Sequence, residues 1–272
     1  MGYYDIIASR MMLNTLLYAI SELSKINERI KFMNKDQNMI IKIEIGGGGP
    51  TEYLEIKNDV ITFERDKVYP THDAYIGFNN PLEFLKLLRS LKLDLEKLKS
   101  EEKVKLYGPA NFQRNCEEII NIALPYYNDA IGEDISPEEE ALQIKIILFA
   151  LMAGFQEITE EDENVREEIK GINVIIQIKI IEGPQCFLLF QNGIFKGCMD
   201  KEGIKPTVTI KIKDLNTARA LLTGKGDAAK SFIKGDILIE GETKHAMKLM
   251  NLNELITDYL DYIKEKQRKI SR

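Results

Sequence analysis

The chain has 272 residues, 44% of them apolar, with 43 acidic against 37 basic side chains and a formal net charge of −6. That length gives room for two domains of ordinary size, each with a core of its own. The acidic, mixed-sign balance excludes a nucleic-acid binder that works by neutralising phosphates with a basic face.

The first predicted element is an amphipathic helix from about Tyr4 to Phe32, in which Met12, Leu13, Leu16, Leu17, Ile20, Leu23, Ile26 and Ile30 recur at helical spacing. Its polar positions, Arg10, Glu22, Lys25 and Arg29, carry both signs, so it reads as a packing helix rather than a membrane-surface helix, and its charges interrupt any membrane span. Met39 to Ile45 alternates as a strand, and Tyr53 to Ile56 and Val60 to Phe63 continue an antiparallel meander. The glycines of Gly46–Pro50 join strand to strand, with no following helix and no Gly-Lys-Ser/Thr ending, and are read as a hairpin loop rather than a phosphate cradle. Tyr75 to Phe78 is a strand, Asn80-Pro81 opens a helix to about Leu91, Val104 to Leu106 is a strand, and Gly108 precedes a helix to about Tyr127.

Asn128 to Pro137 is turn-rich, and Ser136-Pro137-Glu138-Glu139 is a helix start with cap, proline and acids in order, which puts a domain boundary near Ser136. The helix that follows, to about Glu157, is apolar on more than one stripe and is expected to be buried on most sides, between the domains or across both sheets. Glu157 to Lys170, with seven acids and two bases, is expected to be a solvated loop and short helix. Strands Val174 to Ile180, Cys186 to Phe190 and Ile194 to Lys196 form a second meander around Gln191-Asn192-Gly193, a strong hairpin signal.

From Thr207 to Lys213, Val208, Ile210 and Ile212 alternate with Thr209, Lys211 and Lys213 as in a half-buried strand. Asp214 caps a helix carrying Leu215, Ala218, Leu221 and Leu222 on one stripe, and Gly224 ends it. After a loop, Ile237 to Ile239 is a short strand, Gly241 turns the chain, and a helix begins with Ala246, Met247, Leu249 and Met250. This window resembles the sterol carrier protein 2 (SCP2) domain family, through Asp214, Leu222-Thr-Gly-Lys225, Phe232 to Gly235, Gly241 and Ala246-Met-Lys-Leu249, and the likeness runs from roughly Gly171 to the last helix. The resemblance implies an open sheet under helices, an apolar tunnel for a lipid and no catalytic centre.

The first half repeats the order of the second. Pro50 to Leu88 lies on Pro184 to Leu222 without a gap, with eight identities in thirty-nine pairs, among them Asn58 with Asn192 and Leu87-Leu88 with Leu221-Leu222. Asn38 to Ile45 falls on Asn173 to Ile180, and Val104 to Gly108 on Ile237 to Gly241, each with a shift of one residue. The fold expected is therefore α/β (α+β), a tandem duplication of an SCP2-like fold over residues 1–135 and 136–272, each copy a mostly antiparallel five-stranded sheet covered by helices. Where the second copy has Thr223-Gly-Lys225 and Phe232 to Gly235, the first has Arg89 to Leu98, a charged helical run without glycine. Whether that closes the first copy's cavity or only reshapes its mouth stays open.

Chemistry is thinly provided for. His72 and His245 stand in separate copies, His72 in a loop beside Asp73 and His245 at a helix start, and with three scattered cysteines, Cys116, Cys186 and Cys198, they make no zinc set. No catalytic residue, metal or cofactor is expected. The odd cysteine count and the lack of a charged-then-apolar leader point to a cytoplasmic protein without disulfides.

The expected function is non-enzymatic binding and intracellular carriage of a lipid, sterol-like, fatty-acyl or isoprenoid, in an apolar tunnel. Its lining is expected from Leu188, Phe190, Leu222, Phe232, Ile233, Leu238, Met247 and Met250, which makes the second copy the one with the better cavity. The alternative is an accessory or structural protein that mediates assembly, as a homodimer or with a protein partner. The basic tail Lys264 to Arg272 follows an apolar helix and has two readings. One is a docked last helix with cations at its negative end; the other is a lid that makes transient contact with anionic membrane surfaces.

Overall fold

The computed structural model of the protein describes residues 3–88, 92–127 and 135–242. The chain divides into two units, Met1–Ile135 and Ser136–Arg272. In unit 1, helices α1 (Tyr3–Ile26) and α2 (Glu28–Met33) precede strands β1 (Met39–Ile45), β2 (Thr51–Lys57), β3 (Val60–Phe63) and β4 (Ala74–Phe78). Helices α3 (Pro81–Leu88) and α4 (Leu95–Ser100), strand β5 (Val104–Tyr107) and helix α5 (Ala110–Tyr127) follow. The single helix predicted over Tyr4 to Phe32 is broken at Asn27, whose side chain accepts from the backbone N–H groups of Arg29 and Ile30 and starts α2. The apolar repeat runs through the break, so periodicity alone hides it. The run Arg89 to Leu98 is likewise not one helix, because Asp94 caps a new one at Leu95 by accepting from the N–H of Lys97.

Unit 2 runs α6 (Pro137–Glu161), α7 (Glu163–Ile169), β6 (Asn173–Ile180), β7 (Gln185–Gln191), β8 (Ile194–Met199) and β9 (Val208–Ile212), then α8 (Leu215–Leu222), α9 (Ala228–Lys234) and β10 (Ile237–Gly241). Ser136 and Glu139 form the reciprocal capping box that starts α6. By length and composition α6 is long and apolar enough to cross a membrane, yet it packs on β8 and α8 as a core helix of its unit. The acidic stretch from Glu157 is less solvated than its composition predicts. Glu157 and Thr159 are buried in the last turns of α6, and Asp162 caps α7, whose Val165 and Ile169 reach the core. The loop expected after Gly224 holds α9, capped by Asp227 and ended by Gly235 in the left-handed region.

Each unit has a five-stranded sheet, in the orders β3-β2-β1-β4-β5 and β8-β7-β6-β9-β10. In each, three pairings are antiparallel and one, β1 with β4 or β6 with β9, is parallel. The registers correspond at every pairing. Met39 faces Ile56 as Val174 faces Phe190, and Leu54 faces Phe63 as Leu188 faces Gly197. Ile41 faces Ala74 as Ile176 faces Val208, and Tyr75 faces Tyr107 as Thr209 faces Glu240. The caps agree as well, Asn27 with Asp162 and Asp94 with Asp227. Even the turn conformations recur: φ is positive at Asn58 and Asn192, at Asp66 and Asp200, and at Glu102 and Gly235. The same fold is thus written twice in one chain.

Candidate functional site

The two units differ in how the apolar face of the sheet is closed. In unit 1, α1 and α5 pack together over it and leave a cavity of about 40 Å³, lined by apolar side chains such as Leu13, Ile20, Ile56, Ile61, Phe112 and Ile119. A water needs roughly 10–15 Å³ of such space, so the cavity has the size of a few waters and is far from the roughly 300 Å³ at which ligand pockets begin. Cys116 also lines it, with burial pushing its thiol up to about 12, so the sulfur stays protonated and inert.

In unit 2 the positions of Ile20, Ile56 and Ile61 are taken by Phe155, Phe190 and Phe195. Their rings pack mutually, with centroids 5.1 to 6.4 Å apart, and fill the space beneath α6. Gly197 on β8 lets α6 sit this close, because a Cβ there would come within 2.7 Å of the Met152 Cβ. The other half of the face, over β9 and β10, is looser. Ile178, Ile210, Ile239, Leu215 and Leu222 pack against the core but stay partly exposed, whereas their counterparts Ile43, Ile76, Leu106, Pro81 and Leu88 are buried. Helix α9 buries no residue, while α4 at the same place buries Leu95 and Leu98. Among the described residues, unit 2 therefore has an apolar floor over β9 and β10, and the positions that correspond to α5 of unit 1 begin at 243 and lie outside the described residues.

The residues expected to line a tunnel separate into two groups. Leu188 and Phe190 are in the core and Leu222 packs against it at the edge of the floor. Phe232, Ile233 and Leu238 are instead 55%, 83% and 54% exposed. Leu238 is the register partner of Lys211 and so shares the face of Thr209 and Lys211, opposite to that of Ile210 and Ile239. Met247, Met250, His245 and the tail from Lys264 lie outside the described residues. Sequence reasoning did not select Ile178, Ile210, Ile239 or Leu215, although comparison with the buried positions of the first copy singles them out.

The structure gives other notable side chains plain roles. Asp73, beside the exposed His72, accepts from the backbone N–H of Ile40, as Thr207 does from that of Ile175 at the corresponding place. Asp214 caps α8 by accepting from the N–H of Thr217, which holds its carboxyl below the usual range. Burial pushes the Cys186 thiol up to about 12.

A family match falls on unit 2. Residues 155–254 match the SCP-2 sterol transfer family. The SCP-2 match begins inside α6 and takes in every strand of unit 2. No curated protein matches the chain. Among solved structures, the sterol carrier protein domain 2 of Helicoverpa armigera is 27% identical with a TM-score of 0.33, over 40% of this chain and 87% of that one. The apo sterol carrier protein 2 of Yarrowia lipolytica is 20% identical with a TM-score of 0.30, over 39% of this chain and 89% of that one. A stereoselective inverting sec-alkylsulfatase from a Pseudomonas species is 12% identical with a TM-score of 0.27, over 57% of this chain and 30% of that one.

Proposed function

We propose that the chain is a non-enzymatic lipid carrier of the cytoplasm, which holds one sterol-like, fatty-acyl or isoprenoid molecule on the floor of unit 2. The SCP-2 match supports lipid binding or transfer in general. The observation that carries the finer reading is that this match falls on the unit whose floor is partly exposed at Ile178, Ile210, Ile239, Leu215 and Leu222. Such side chains gain from covering by an alkyl chain at roughly 25 cal/mol per Å² of apolar surface removed from water. Unit 1 has the same sheet, but its described residues close over it to a void of only about 40 Å³.

The test combines native mass spectrometry with uptake of a fluorescent fatty acid by the full chain. One lipid mass per chain is expected, and Leu222→Trp, which fills the floor from α8, is expected to weaken uptake at least tenfold. Two lipids per chain, or unchanged uptake by Leu222→Trp, would move the site elsewhere. A wild-type chain that carries no lipid mass and takes up no fatty acid overturns the proposal and leaves assembly with a partner as the reading to pursue.

A further inference from the structure

The outer face of the unit 1 sheet, opposite the one that α1 and α5 close, carries a row of rings. Register places Tyr107 of β5, Tyr75 of β4, Lys42 of β1 and Tyr53 of β2 side by side across four strands. They share one face, since their chain neighbours Ile41, Ile43, Leu54, Ile76 and Leu106 are buried in the core. The connection between β3 and β4 adds two more rings, Tyr69 at 5.7 Å from Tyr53 and His72 at 6.2 Å from Tyr75. The Tyr75 and Tyr107 rings are 6.0 Å apart and inclined by only 29°, and the Lys42 ammonium stands 5.7 Å from the Tyr75 centroid. Tyr107 is 62% exposed, His72 is exposed, and Tyr53, Tyr69 and Tyr75 are partly exposed.

Gly77 shows how the central ring lies. A Cβ at Gly77, two residues along β4 and on the same face, would come within 2.4 Å of the Tyr75 hydroxyl oxygen and 2.7 Å of its Cζ. The ring therefore lies along the strand over the glycine and does not stand out from the sheet. Unit 2 shows that the fold asks for none of this. Thr209 and Glu240 hold the positions of Tyr75 and Tyr107, Gln177 that of Lys42 and Lys211 that of Gly77. Only Tyr53 has an aromatic counterpart, Phe187, and that one is buried. In place of rings, Thr209 donates to Gln177 and Gln177 to Gln185. Nor does the backbone need glycine at 77, whose φ is outside the left-handed region.

The charges beside the rings decide what such a row can hold. Lys42 pairs with Glu44, and Lys67 with Glu55 and Glu64. Lys57 lies near Glu55 as well, which leaves Lys105, the register partner of Gly77, with no carboxylate partner among the described residues. One spare cation does not hold a polyanion, whose binding takes several, and Glu44 and Glu55 repel phosphates. A purely aliphatic ligand would strip water from the paired ammonium and carboxylate groups and give no hydrogen bond in return. Sugar rings meet both demands. Their C–H faces are apolar and weakly positive, which suits the negative face of a phenol ring, and their hydroxyls donate to carboxylates and accept from ammonium groups.

We propose that this row is a binding platform for a neutral oligosaccharide, with sugar rings stacked on Tyr53, Tyr75 and Tyr107 and hydroxyls held by the Lys42–Glu44 and Lys67–Glu55 pairs. From Tyr107 to Tyr53 the row spans roughly 14 Å, at about 4.8 Å per strand, so a chain of sugars covers it where a single sugar does not. It is a second site on the chain and does not depend on the lipid-carrier reading.

The experiment is native electrophoresis of the full chain through gels with and without a soluble polysaccharide, with glycogen, galactomannan, xyloglucan and mixed-linkage β-glucan tried separately. Retardation by at least one of them is expected, and titration with its oligosaccharide, followed by tyrosine fluorescence, gives the affinity. Gly77→Ala keeps every ring but lifts Tyr75 from the strand, and is expected to weaken binding at least fivefold with no fall in the urea midpoint. Tyr75→Thr with Tyr107→Glu installs the residues of unit 2 and is expected to abolish retardation, while fatty-acid uptake and circular dichroism stay those of wild type. Wild-type chain that none of the polysaccharides retards, or either variant binding like wild type, overturns the platform. So does wild-type binding of a single-stranded RNA oligonucleotide that the double variant loses, because the rings then stack on nucleobases. Retardation without fatty-acid uptake would instead overturn the carrier reading and leave the platform intact.

Discussion

Units 1 and 2 share strand order, registers, helix caps and turn conformations, and differ in what their side chains do with the space those elements enclose. Isoleucines at positions 20, 56 and 61 leave a small apolar void under α1, whereas phenylalanines at 155, 190 and 195 fill the same region of unit 2. Backbone pairing is set by turns and by the two-residue period of strands, which tolerates many sequences. Closure depends on side-chain volume at a few positions, so it can change in one copy without disturbing the sheet.

The comparison is broken hardest by emptying the aromatic cluster. Phe195→Ala removes a buried ring that touches two others, and is expected to cost about 3–5 kcal/mol, read as a lower urea midpoint for unit 2. The corresponding change in unit 1, Ile61→Val, deletes one methylene beside an existing void and is expected to cost only about 0.5–1.5 kcal/mol. Equal losses at the two sites would mean that the aromatic cluster is no better packed than the aliphatic one.

Next in size is the close approach of α6. A methyl group at Gly197 meets the Cβ of Met152 at 2.7 Å, an atom fixed by the helix backbone, and Gly197→Ala is expected to cost about 1–3 kcal/mol. Unit 1 already carries Phe63 at that position, so substitution of Phe63 by Leu should be mild. If Gly197→Ala is neutral in urea unfolding, α6 has freedom to shift over β8.

A smaller effect attaches to Asp214. Asp214→Ala is expected to cost about 1 kcal/mol near neutral pH through loss of the α8 cap. Because the folded state depresses this carboxyl's pKa, first through the Thr217 backbone N–H, the contribution is fully present above the unfolded value near pH 4 and is lost as pH falls through the lower folded value. The stability gap between wild type and variant should therefore close below about pH 4. A gap independent of pH would show that the carboxylate is not what matters at this cap.

These local devices are also what the sequence displays best. Ser136 with Glu139, Asp214, and the turn at Asn192-Gly193 are short-range signals whose chemistry is complete within a few residues. Helix α9 was hidden because AAKSFIK is short and has no buried stripe, although Asp227 followed by Lys230 repeats the cap of Asp94 and Lys97. The burial of Glu157 was hidden by the acids around it. The floor was less legible still, since the partial exposure of Ile210 or Ile239 is decided by what packs over the sheet and not by the residue itself. Only the second copy of the same pattern supplies a standard against which that exposure stands out.

The smallest expected effect exchanges a single turn residue. After α4 the chain passes through Glu102 at φ 55°, and after α9 through Gly235 at φ 77°. An L-residue in this region costs roughly 1–2 kcal/mol relative to right-handed backbone, while glycine adds roughly 0.5–1 kcal/mol of unfolded-state entropy to be lost on folding. Glu102→Gly is therefore expected to stabilise unit 1 by about 0.5 kcal/mol, and Gly235→Glu to destabilise unit 2 by a similar amount. The Glu102 contact that matters survives the change, because Asn79 donates its side-chain N–H to the backbone carbonyl at 2.7 Å and not to the carboxylate. Urea midpoints of the two single variants check the pair, which should move in opposite directions. If both fall, the Glu102 side chain holds the α4–β5 turn by a contact of its own, and the two turns are alike in backbone but not in what stabilises them.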